Sequence, residues 1–183
     1  MLLGSLLADQ NHFGEHNAIL YSNIDVLHQL LIEYCRLSLN SLNEILLILT
    51  HYDSVENISN ALKYSSTDLS RRQKDGSLLI RESGKAYCNL EDALVDIVIM
   101  IRMLLQGKRK LGRDGLTAIC DVGVFFYKKR IIDLNLHETK LSLGSFDDDK
   151  VRMICCYEKS NLALLSQQQK QQILSSHHKV IEV

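Results

Sequence analysis

Apolar residues recur at three- and four-residue spacing between Asn23 and Leu39, with Leu27, Leu30, Leu31, Tyr34 and Leu37 on one side. That period belongs to an amphipathic helix, and Ser22 stands where its cap would be. Ser41-Leu42-Asn43-Glu44 reads as a capping box, so the continuous apolar run from Ile45 to Leu49 predicts a helix buried on most sides. Asp53-Ser54-Val55-Glu56 reads as a second box, opening a short helix to Tyr64. Residues 65–88 are Ser-rich and then basic, with an apolar patch at Leu78 to Ile80, and predict a loop. Asn89 would cap the next helix, which carries Glu91 and Asp92 in its first turn and ends at Gly107. Asp114 would cap a further helix to Leu134, with a strand pair over 124–136 as the alternative because Val124, Phe126, Ile131 and Ile132 are β-formers. Asp147 would cap a helix through VRMICCYE, and Ser160 begins a last, glutamine-rich helix. The tail after Ser175 is expected to fray.

Composition sharpens this into a fold class. The 183 residues contain no proline and no tryptophan. Without proline, helix breaks fall to glycine and polar caps, which favours a helical protein over a turn-rich β-sandwich. The expectation is all-α: a helical bundle of two small lobes, residues 1–110 and 111–183, with no transmembrane segment. No apolar run reaches the roughly 20 residues a bilayer requires. MLLGSLLADQ lacks a basic segment and reads as an apolar flap, not a signal peptide. Five cysteines, Cys35, Cys88, Cys120, Cys155 and Cys156, show no CxxC spacing and read as free thiols in a reducing compartment.

The net charge of −1 conceals a strong asymmetry. The first 70 residues hold 2 Lys/Arg against 8 Asp/Glu, residues 71–130 hold 13 against 7, and the remainder 6 against 7. The central cations fall into clusters: Arg71, Arg72 and Lys74; Arg81 and Lys85; Lys108, Arg109, Lys110 and Arg113; and Lys128, Lys129 and Arg130. Gathered on one face they would hold a phosphate backbone without reading its sequence. Dispersed, they are solvated turns.

Three candidate chemistries are weaker. His12-Phe13-Gly14-Glu15-His16 spells HxxEH, the ligand order of the inverted zincins, which needs a helix to bring both histidines to one metal. Gly14 weakens such a helix and no third ligand is placed downstream, so the match reads as chance and no metal is assigned. His177-His178 reads as an exposed tail pair. Glu91, Asp92 and Asp96 resemble the carboxylate face of all-α nucleotide pyrophosphohydrolases, but Ala93 stands where a second acid is expected. No P-loop, GxGxxG or nucleophile–His–Asp order is present, no thiol has an activating neighbour, and no cofactor is implied.

SLNEILLILTH (Ser41 to His51), MIRMLL (Met100 to Leu105, by its last six residues) and DVGVFFYKKRIIDLNL (Asp121 to Leu136) resemble, in that order, segments of the small closterovirus suppressors of RNA silencing. The resemblance implies an all-helical, two-lobed, non-enzymatic viral protein of the host cytoplasm. It would assemble with itself into a ring and bind double-stranded small RNA. The resemblance supplies no base-reading residue; the phosphate contacts are read from the charge clusters instead, as Arg71, Arg72, Lys74, Lys108, Arg109, Lys110, Arg113, Lys128, Lys129 and Arg130. The alternatives are a helical protein–protein adaptor and the pyrophosphohydrolase-like enzyme.

Overall fold

The computed structural model describes residues 12–65, 67–87, 93–143 and 150–183. Its centre is a six-stranded, all-parallel sheet, so the expected all-α bundle is overturned. The strands are β1 (His16–Tyr21), β2 (Glu44–Thr50), β3 (Leu78–Glu82), β4 (Gly115–Asp121), β5 (Val151–Glu158) and β6 (Lys179–Glu182). They lie in the order β3-β2-β4-β5-β1-β6. Helices connect them: α1 (Ile24–Arg36), α2 (Val55–Leu62), α3 (Leu69–Lys74), α4 (Ser83–Ala86), α5 (Ala93–Leu111), α6 (Gly123–Tyr127), α7 (Ile131–Leu143), α8 (Lys159–Ala163) and α9 (Gln167–Leu174). No described helix is long and apolar enough to cross a membrane.

The misread segments share one cause. Strands of a parallel sheet covered on both faces are apolar at nearly every position and lose the two-residue alternation that marks a strand. All seven residues of β2 and of β4 are buried, as are the first seven of β5. Each looks like a core helix by hydropathy alone. The missing proline fits equally well, because an interior strand cannot give up a backbone N–H.

Alternate side chains of each strand enter two cores. On one side Ala18, Leu20, Leu47, Leu49, Ala118, Cys120, Met153 and Cys155 meet Ile97 and Ile101 of α5, Leu134 and Leu141 of α7 and Ile173 of α9. On the other, Ile19, Tyr21, Leu46, Ile48, Ile119, Ile154 and Cys156 meet Leu27, Leu30, Leu31 and Tyr34 of α1 and Ile58 and Leu62 of α2. The α1 period is therefore real, although its cap is Asn23, whose side chain accepts from the Val26 amide. Ser54, not Asp53, caps α2.

Other expectations change as well. Residues 65–88 contain α3, β3 and α4. Gly107 does not stop α5, which runs on to Leu111; Gly112, at φ +62, takes the left-handed position after it. Residues 124–136 form no strand pair: α6 ends at Tyr127, 128–130 make a turn, and α7 begins at Ile131. The glutamine-rich region is two helices, α9 being capped by a reciprocal Ser166–Gln169 box. The tail is strand β6, paired with β1. The N-terminal flap, Cys88, the Asn89 and Asp147 caps, and Glu91 and Asp92 lie outside the described residues. The side chains of Asp96, Lys108 and Arg109 do too.

Candidate functional site: a buried His-Glu-Cys-His centre

Most of the ten cations named from the sequence stay where α3 and the turns put them. Arg71, Arg72 and Lys74 ride on α3, where Arg72 donates to the Leu39 carbonyl at 2.9 Å. Arg113 joins this group. Its side chain is largely buried, bonded to Asn43 Oδ1 at 2.8 Å and Ser77 Oγ at 3.1 Å, and lies 3.5 Å from Asp75. Lys110 lies in the last turn of α5. Lys128, Lys129 and Arg130 follow α6, and Arg130 is paired with Asp133. Arg113 precedes β4 while Lys128 to Arg130 follow its far end. A seven-residue strand rising about 3.3 Å per residue separates the two groups.

At the carboxyl ends of the strands the chain leaves β2 toward one core and β3 and β4 toward the other. Such reversals open crevices where α/β proteins take ligands. Between β2 and β4 the crevice is closed by Asp121. Its Oδ2 accepts the His51 and Tyr52 amides at 3.2 Å each, and its Oδ1 the Gly123 amide at 2.8 Å. Burial pushes the Asp121 carboxyl up despite these donors. Beside it the Thr50–Ser54 turn, Glu82 and Gly84 line a cleft of ≈390 Å³. Its acids are already engaged, Asp53 with His28 at 2.6 Å and Glu82 with Lys85 at 2.8 Å.

The densest chemistry lies elsewhere, under α7 and α9. His16 opens β1 on the face that carries Ala18 and Leu20, and Cys155 points to the same face from β5. Glu138 descends from α7, between the core contacts Leu134 and Leu141, as three- and four-residue helix spacing dictates. His177 comes from the turn joining α9 to β6. The Glu138 and His177 side chains have no exposure at all, and His16 has 2%. Glu138 Oε2 lies 2.9 Å from His16 Nε2, 3.4 Å from His177 Nε2 and 3.5 Å from Cys155 Sγ. His16 Nε2 and Cys155 Sγ are 3.3 Å apart. Tyr157 donates its hydroxyl to Glu138 Oε1 at 2.7 Å, which leaves Oε2 to the cluster.

Burial would raise the Glu138 carboxyl, but the two imidazoles facing it outweigh that and hold it well below the usual range, so it is ionised. Burial, with Glu138 adding to it, pushes the Cys155 thiol and the Tyr157 phenol well up. A carboxylate therefore sits in a dry interior, an arrangement stable only with a cationic or strongly donating partner.

These residues correct one sequence reading and bear on two others. His177 is not an exposed tail residue. The HxxEH run forms no helix, which that motif needs: His16 starts a strand, and Glu15 turns away to Lys179 at 2.9 Å. Cys155 has a titratable neighbour in Glu138, but one that pushes its thiol up and does not activate it. No local signal could reveal the cluster, because its members come from two strands, a helix and a turn scattered over the chain. The remaining described cysteines, Cys35, Cys120 and Cys156, are buried and free.

A family model matches residues 15–178, from the residue before β1 to the turn before β6, and is that of the methanogen/methylotroph DcmR sensory domain, MEDS. The chain belongs to the MEDS family. No curated protein matches it. MEDS membership overturns the closterovirus resemblance, and with it the viral silencing-suppressor reading, and lends no support to the adaptor alternative. The MEDS match begins one residue before His16 and ends one after His177, so it encloses every member of the buried cluster.

Proposed function

We propose that this chain is a sensory domain of a signalling system, acting by binding and conformational response, with the His16–Glu138–Cys155–His177 cluster as its responsive centre. MEDS membership supports the sensory role. The observation that carries the location is that three buried side chains able to bind an ion or exchange protons, His16, Cys155 and His177, converge on a carboxylate oxygen of a fourth, Glu138. The cluster ties central strand β5 to α7 and to the turn that leads into edge strand β6. A change in its charge or occupancy would therefore shift the packing of α9 and the pairing of β6 with β1. Edge elements held by few contacts are where a sheet can respond without unfolding.

Hydrogen exchange on the purified chain tests this. Glu138→Gln is expected to reduce amide protection in α7, in α9 and in β6, while β2 and β3 stay as in the unsubstituted chain. Loss confined to α7, or spread evenly over all strands, would refute the reading.

A further inference from the structure

We propose that the buried cluster is a four-coordinate site for a zinc-class divalent cation, held by His16 Nε2, Glu138 Oε2, Cys155 Sγ and His177 Nε2. The assignment rests on the reading of this cluster as the responsive centre and adds what occupies it.

Three features point to a cation. The first is the proton inventory. His177 Nδ1 faces the Ile173 carbonyl oxygen at 3.0 Å, which can only accept, so Nδ1 carries the ring hydrogen. Nε2 of a neutral ring is then a bare lone pair, aimed at Glu138 Oε2, another lone pair, 3.4 Å away. The Tyr157 hydroxyl also lies 3.4 Å from Nε2, but its one hydrogen goes to the closer Glu138 Oε1 at 2.7 Å. Two acceptors facing each other in a dry interior require a shared proton or a metal ion between them.

The second feature is geometry. Zinc–ligand bonds of about 2.0–2.3 Å give tetrahedral donor–donor edges of roughly 3.3–3.6 Å. Four of the six edges measure 2.9, 3.3, 3.4 and 3.5 Å, and none of the six exceeds 4.8 Å. The two edges from His177 Nε2 to His16 Nε2 and Cys155 Sγ lie within 4.8 Å, so a shift of the His177 ring by up to about an ångström completes the tetrahedron. Two imidazoles, a thiol and a carboxylate are the donor set of a closed zinc site. A divalent ion with one thiolate and one carboxylate is electrically neutral, as a dry interior requires.

The third feature is the supporting shell. The Ile173 carbonyl orients His177 and fixes its tautomer, and the Tyr157 hydroxyl pins the non-ligating oxygen of Glu138. Metal ligands are held by partners of this kind.

The experiment is titration of the chelator-stripped chain with Zn²⁺ and with Co²⁺ as a spectroscopic probe. Expected are one ion per chain, tetrahedral Co²⁺ d–d bands, and a thiolate-to-cobalt charge-transfer band. That band should vanish in Cys155→Ser and persist in Cys156→Ser, whose thiol lies on the opposite face of the sheet. Tyr157→Phe, a change to a positioning residue, is expected to lower Zn²⁺ affinity about 10–100-fold with the Co²⁺ spectrum kept. Absence of the charge-transfer band in the unsubstituted chain, its survival in Cys155→Ser, or octahedral Co²⁺ overturns the site. Failure of metal to bind while Glu138→Gln still loosens β6 would overturn the metal alone and leave an imidazolium–carboxylate centre. Stoichiometric binding that leaves exchange in α9 and β6 unchanged would confirm the metal and overturn the sensory reading.

Discussion

Replacing Arg152 by methionine isolates a buried charge whose consequence can be worked out in advance. Arg152 enters from β5 and its Nη1 lies 2.9 Å from Glu44 Oε1, at the start of β2. The Glu44 side chain is 1% exposed. Its other oxygen accepts from Thr117 Oγ1 at 2.7 Å and Ser38 Oγ at 3.5 Å, and the guanidinium stacks 4.1 Å over the Phe13 ring. Methionine keeps the length of the side chain but removes the only cation paired with Glu44 among the described residues. Breaking one half of a buried pair costs about 3–5 kcal/mol, and the lost cation–π contact adds about 0.5–1. A chain of this size should lose on the order of 10 °C in Tm.

The pH dependence has a definite sign. Burial already raises the Glu44 carboxyl above 4.5, with Arg152 pulling it back. Without Arg152 the folded value rises further. Between 4.5 and that raised value the folded state holds a proton the unfolded state has lost, so stability falls as pH rises. Arg152→Met should be most damaging at pH 7 and recover toward pH 5. Adding Glu44→Gln removes the orphaned charge while its amide oxygen still accepts from Thr117, so the double variant should regain most of the loss, with a coupling of about 2–4 kcal/mol. Urea unfolding of the four proteins at pH 7 and pH 5 measures all of this. Arg152→Met within about 1 kcal/mol of the parent at pH 7, at unchanged m-value, would refute the reasoning.

Three further outcomes are expected. Asp121→Ala should destabilise by about 3 kcal/mol because three backbone amides lose their acceptor. Asp121→Asn, which keeps one oxygen, should cost roughly half as much, and amide exchange at His51 and Tyr52 should report the difference. A Cβ at Gly123 would collide with the Tyr52 ring. Gly123→Ala should therefore cost about 1–3 kcal/mol and weaken the Tyr52–Asn161 hydrogen bond, and a Tyr52→Ala background should remove most of the added penalty in calorimetry. Asp75 feels a raising effect of burial, outweighed by hydrogen bonds from Ser77 and by Arg113, so its carboxyl lies below 3.8. Its stabilising contribution is present above that value and is lost as pH falls through the depressed one. Asp75→Asn should flatten the acid limb of stability below about pH 4, and an unchanged limb would count against the pairing.

Where order is local, the residues alone were sufficient. The α1 stripe, the Ser54 turn into α2, the apolar character of β2, β4 and β5 and the basic character of α3 all follow from neighbours within a few positions. So do the buried thiols Cys35, Cys120, Cys155 and Cys156. Whether an apolar run such as EILLILT or VRMICCYE winds or extends is not a local property. It is decided by whether both sides of the run are covered, and that depends on helices far along the chain. Packing on both faces made those runs parallel strands and placed the carboxyl end of each beside a polar turn.

The centre is the extreme case of the same distinction. Sequence alone determined that His16, Glu138, Cys155 and His177 were available as donors. Only the pairing of β1 with β5, the docking of α7 and the turn into β6 decided that they would meet. Side-chain chemistry is carried by each residue, but the low dielectric and the convergence that give it consequence belong to the folded interior.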